Sequence, residues 1–159
     1  MAAVVANYDI NISEITANMK AEGVQSPEME AILKATADDA IWNTIERFKG
    51  MDMSNKKKMI NNMMGSGGRA QLGIPLPEPV NPTDPHVITI AKLAVEKHNE
   101  NAGTSLVFIQ VIGGLQWNLL IGALYMLIIT TQDSKGTYTD YAVFLETCLG
   151  QKYLLWYKH

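Results

Sequence analysis

The sequence predicts an α+β protein: a small all-α segment, then one helix packed on a four- to five-stranded antiparallel sheet. Three observations lead there. Apolar residues recur at three- and four-residue spacing up to residue 64. A capped amphipathic helix opens at Pro85. Beyond it, Val-, Ile- and Tyr-rich stretches alternate with turn residues. At 159 residues and 47% hydrophobic, the chain is long enough to bury a core of its own.

In the first segment, residues 1–64, three helices are expected. Ser13 caps a short one with Ile15 and Met19 inward and Gly23 ending it. Ser26, Pro27 and Glu28 open a longer helix whose apolar stripe is Ile32, Leu33, Ala37, Ala40, Ile41, Ile45 and Phe48, stopping at Gly50. Ser54 opens the third, with Met59, Ile60, Met63 and Met64 apolar. All nine methionines except Met126 lie in this segment. Core packing explains them better than an adaptable partner surface. Residues 65–78 form a linker: Gly65-Ser66-Gly67-Gly68 is flexible, and the prolines that follow impose an extended path. The Gly-Ser-Gly-Gly tract resembles connectors used to fuse separate proteins. Residues 79–159, whose capping, alternation and hairpin signals agree with one another, are expected to fold without residues 1–64.

In the second segment Thr83 or Asp84 serves as N-cap and Pro85 as first helical residue of a helix reaching about Asn99. Its buried stripe is Val87, Ile90, Ala91, Ala94 and Val95, and Gly103 ends the connection. A strand over residues 105–112 follows, Gly113-Gly114 turns the chain, and residues 117–131 form one long strand. Asp133-Ser134-Lys135-Gly136 is a tight hairpin, followed by strands over 138–147 and 153–157. The apolar run from Leu119 to Ile129 is too short to span a bilayer and suits a strand buried on both faces or a barrel wall.

The formal charge of −3 leaves Lys56-Lys57-Lys58 as the only basic run, read as a solvated helix start, so no nucleic-acid partner is expected. No membrane partner is expected either, and the N-terminus does not read as a secretory signal, which points to the cytoplasm, with a processed secreted form as the alternative. A lone cysteine, Cys148, rules out an internal disulfide and a cysteine-rich zinc cluster. His86, His98 and His159 lack metal-ligand spacing, so neither metal nor cofactor is expected. Cys148 with His98 as nucleophile and base is set aside, because the cysteine falls in a predicted loop and the histidine in a helix. No catalytic residue is assigned, and the chain does not read as an enzyme.

The stretch DPHVITIAKLAVEKHN resembles the helix of plant cystatins. Ile90-Ala91-Lys92-Leu93-Ala94-Val95 stands where that family has a Leu-Ala-Arg-Phe-Ala-Val-type motif, and His98-Asn99 closes it. LVFIQVI and GALYMLIITT resemble the strands that follow, with Gly122 and Tyr125 matching a Gly-Thr-x-Tyr pattern. The likeness covers about half the chain; residues 1–64 resemble no family. It implies a cystatin-like fold and a non-catalytic, protein-binding function of the cysteine protease inhibitor type. In that family an N-terminal glycine, a Gln-x-Val-x-Gly hairpin loop and a Pro-Trp loop enter the cleft of a papain-like cysteine protease. The corresponding positions here are Gly73, the stretch Asn118-Leu119-Leu120-Ile121-Gly122, and Cys148-Leu149. The glutamine and the Pro-Trp pair are absent, so the inhibitory loops are degenerate. Trp117 beside the first loop is either an exposed anchor or half-buried packing. The alternative is an interaction or adaptor protein that binds a protein through another surface of this fold, or through the Met-rich helical half, without inhibiting a protease.

Overall fold

The computed structural model describes residues 12–24, 27–35, 40–48, 50–64 and 77–159. Within the first segment it carries α1 (Ile12–Ala21), α2 (Pro27–Ala35), α3 (Ala40–Arg47) and α4 (Met53–Met64). The last helix starts earlier than Ser54, because the Asp52 carboxylate accepts from the Asn55 amide at 2.8 Å and so supplies the cap. After β1 (Glu78–Pro79), α5 (Pro85–Ala102) is the long helix of the second segment. Asp84 is its N-cap, taking the His86 amide at 2.8 Å, and Gly103 closes it in the left-handed region at φ 67°. Its buried residues are the five of the predicted stripe, Val87, Ile90, Ala91, Ala94 and Val95.

Four long strands follow: β2 (Val107–Leu119), β3 (Gly122–Asp133), β4 (Gly136–Thr147) and β5 (Lys152–Lys158). All five strands form one antiparallel sheet in sequence order. The expected turn at Gly113-Gly114 does not occur, and the stretch 117–131 is two strands, not one. Both glycines lie inside β2, next to a bulge between Val111 and Gly113. A side chain on Gly114 would run into the Met126 carbonyl oxygen and come within 2.8 Å of Leu127 Cδ2. The pair therefore marks a bulge and a close backbone approach, the second meaning of glycine in a strand. The reversal comes later: Leu119 pairs with Gly122, leaving only Leu120 and Ile121 as the hairpin loop.

Two cores lie on the two faces of the sheet. On one, α5 packs its stripe against Tyr125, Leu127 and Ile129 of β3 and against Ala142 and Phe144 of β4. On the other, Ile15, Met19, Met29, Ile32, Trp42, Ile45, Phe48 and Ile60 from α1–α4 and the turn after α3 join Trp117, Leu124, Met126, Ile128, Val143 and Leu145. The apolar run of β3 is thus buried alternately on both faces, as a strand between two layers must be. Polar contacts also tie the helices to the sheet. Asn18 donates to the Leu155 carbonyl at 3.1 Å, and the Tyr141 hydroxyl donates to Glu46 at 2.6 Å. Trp42 sits edge-on to Tyr141 with ring centroids 5.6 Å apart.

Candidate functional site: the loop end of the sheet

The β2–β3 and β4–β5 connections lie side by side at one end of the sheet, because Gly122 pairs with Thr147 and the Cys148 amide donates to the Ile121 carbonyl at 2.9 Å. In the first loop, Leu119 and Ile121 turn toward the core under α1–α4, while Leu120 is 88% exposed. The second loop is fastened on itself. Thr147 donates to the Gln151 carbonyl at 2.8 Å, Gly150 to the Thr147 carbonyl at 2.9 Å, and Gly150 takes φ 85°. This lifts Leu149 to the apex, where it is 84% exposed. Leu120 and Leu149 are the most exposed large apolar side chains among the described residues. A rigid hydrogen-bonded base thus presents two apolar tips to solvent, an arrangement suited to burial against a partner.

Gly122 holds the two loops together. Its φ is 144°, and a Cβ there would overlap the Glu146 carbonyl oxygen and lie 2.6 Å from Thr147 Cα. Only a residue without a side chain lets β3 run this close to β4. Below the second loop, Glu146 accepts from His86 at 2.6 Å and sits 3.7 Å from the Lys152 ammonium, bracing β4 against the start of α5 and of β5. Tyr125 lies beneath this brace, its hydroxyl pKa pushed up to about 12 by burial first and by the Glu146 and Asp84 carboxylates second. It stays protonated through the physiological range.

The far end of the sheet is occupied by structural chemistry. Asp140 is fully buried and accepts from Thr131 at 2.8 Å and from the Tyr157 hydroxyl at 2.6 Å, with His159 at 2.8 Å on its other oxygen. His98 stacks on Tyr157 at 4.0 Å, and Asn99 ties the helix exit to both the amide and the carbonyl of Leu106. The two residues that close the helix motif therefore fix the α5–β2 connection and the end of β5. A groove of about 280 Å³ between α1, α5 and the β5 edge is lined by Asn18, Glu22, Lys97, Glu100 and Tyr153, among others. It brings no nucleophile together with a base. Among the described residues no group of three or more His, Cys, Asp or Glu is gathered for a metal ion.

Of the residues singled out in the sequence, Asn118, Leu119, Leu120, Ile121, Gly122, Cys148 and Leu149 come together at the loop end. Trp117 does not join them at the surface. It is wholly buried beneath α1–α4, because its register opposite Leu124 turns it onto that face, so it is core packing and not an exposed anchor. Gly73, like Gly68, lies outside the described residues. The brace of His86, Glu146 and Lys152 is not legible in the sequence, where His86 is considered only to be set aside as a metal ligand. The three residues are far apart in the chain, and only the sheet register joins them.

A helix on an antiparallel sheet, with two hairpin loops at one end, is the architecture that the cystatin resemblance implies. Residues 80–158 match the family model SQAPI, described as aspartic acid proteinase inhibitor. This stretch is thus similar to a protease inhibitor family with a cystatin-like fold. The matched family consists of inhibitors and not of enzymes, and its partners are proteases. The plant cystatin assignment and its papain-like partner are narrower than this match. No curated protein matches the sequence significantly.

Proposed function

We propose that the protein inhibits an aspartic proteinase by inserting the loop end of the sheet into the active-site cleft. The observation that carries this is the adjacent pair of exposed tips, Leu120 and Leu149, on hydrogen-bonded loops of a domain whose family model is that of aspartic proteinase inhibitors. An aspartic proteinase works through two carboxylates that share one proton. A plug for such a cleft gains by bringing no charge of its own near that pair, since a buried unpaired charge is costly. Leu120-Ile121 and Cys148-Leu149-Gly150-Gln151 form such an uncharged end. Burying each leucine contributes roughly 1.5–3 kcal/mol before association entropy is subtracted. Inhibition requires no bond to be made or broken, only exclusion of substrate.

The same edge without the Gln-x-Val-x-Gly and Pro-Trp motifs offers little to a papain-like cleft. Titrating the full chain against pepsin and against papain distinguishes the two classes. We expect inhibition of pepsin and none of papain. Leu120→Asp and Leu149→Asp should each weaken pepsin inhibition about tenfold or more, as truncated interface anchors do, while leaving the melting temperature unchanged. Inhibition of papain alone would assign the edge to cysteine proteases. Failure to inhibit either would favour an adaptor that uses another surface.

A further inference from the structure

Resting on the reading of the loop end as a protease-binding edge, we infer that α4 supplies a second, electrostatic contact for the same enzyme, through Lys57 and Lys58 against an acidic surface beside the cleft. The only basic run of the chain lies on this helix, whose sequence MSNKKKMINNMM carries three lysines and no acidic residue. Lys56 is buried with Ile60, its stem packed inward. At 100° per residue this turns Lys57 and Asn61 to one flank of the helix and Lys58 outward. Lys57 and Lys58 are exposed and make no salt bridge within 4.0 Å among the described residues. Asp52, the nearest carboxylate along the chain, is engaged in capping the helix.

The placement sets the two lysines on the β1 side of the sheet, with Glu78 lining the same groove as Lys57. Lys57 and Asn61 line a groove of about 210 Å³ together with Pro77, Glu78 and Pro79, so α4 lies along β1. Glu78 pairs with Gln116, four residues before Leu120 in β2. At about 3.3 Å per residue that sets the groove roughly 13 Å behind the tip. A protease seated on Leu120 and Leu149 would meet this flank with surface lying about 13 Å back from the tips. Two ammonium groups without a salt bridge among the described residues, on a chain of net charge −3, are a local feature, suited to a small acidic patch and not to a polyanion. Charges at such a rim act chiefly on the rate of association.

The test is stopped-flow association of the full chain with pepsin at about pH 5, where most carboxylates remain ionised. Wild type, Lys57→Glu/Lys58→Glu and Lys57→Arg/Lys58→Arg are compared at about 20 mM and about 0.5 M salt. We expect the double glutamate variant to associate about tenfold more slowly at low salt, the difference to close at high salt, and dissociation to be unchanged. The arginine pair should behave as wild type. Equal association rates at low salt, or a difference that high salt leaves intact, would overturn the inference while inhibition itself stands. A wild-type chain that does not inhibit pepsin would overturn the reading of the loop end, and this contact with it.

Discussion

Leu119, Leu120 and Ile121 are three neighbouring branched apolar residues with different fates, and the pairing of Leu119 with Gly122 decides them. The outer two pack on the core, and the middle one is left in water. This is why Leu120→Asp is expected to change binding and not folding. Gly122 is the opposite case. Any side chain there meets the β4 backbone and must adopt a left-handed φ, so Gly122→Ala should cost more than about 2 kcal/mol, read as a lower urea midpoint. It should also weaken inhibition, because the Cys148–Ile121 hydrogen bond that pairs the loops starts from this crossing.

Strand β5 is held at its two ends by different chemistry. At the loop end the Glu146–Lys152 contact is partly exposed and worth little. At the other end Asp140 is buried, and its bond to Tyr157, together with burial, drives the tyrosine pKa well above its usual value, burial being the larger cause. Asp140→Ala would leave the Tyr157 hydroxyl and His159 without their acceptor, an expected loss of about 3 kcal/mol in chemical denaturation. His98 reports on the same region. Its pKa is lowered from 6.5 by burial above all, with Asp140 opposing and His159 reinforcing the shift. A depressed folded pKa means that this histidine's contribution is complete above the unfolded value and is lost as pH falls through the folded one. His98→Phe keeps a ring against Tyr157 and removes the proton, so its melting temperature should fall less than that of wild type between about pH 7 and pH 5.

At the scale of the molecule, both faces of one sheet are covered, one by α5 and the other by the helices of the first segment. Residues 77–159 contain the α5 caps, all the strand pairing and the α5 core. They would expose Trp117, Leu124, Met126, Ile128 and Trp156 together, an apolar face larger than soluble monomers tolerate. We therefore expect the isolated segment to bind a hydrophobic dye and self-associate, and addition of residues 1–64 as a separate chain to suppress both. A monomeric, dye-negative segment would show that the helical half is dispensable to the sheet.

The helix motif, its N-cap and C-cap, its buried stripe and the Asp133–Gly136 hairpin were legible from sequence, because each depends on residues a few positions apart. The apolar run from Leu119 to Ile129 pointed to a strand buried on both faces or to a barrel wall, and the open sheet with its two cores decides for the first. Local composition could not say that α1–α4 provide the second cover, since that is settled by which surfaces meet. Nor could it assign Gly113-Gly114 and Gly122. A glycine that turns a chain and one that lets two backbones cross look alike until the neighbouring strand is in place. The resemblance located both loops by position, but which leucine points outward and which lysines flank β1 were decided by sheet register and helix packing alone. These depend on contacts between residues remote in the chain, and a one-residue shift of register would exchange the buried and exposed sets.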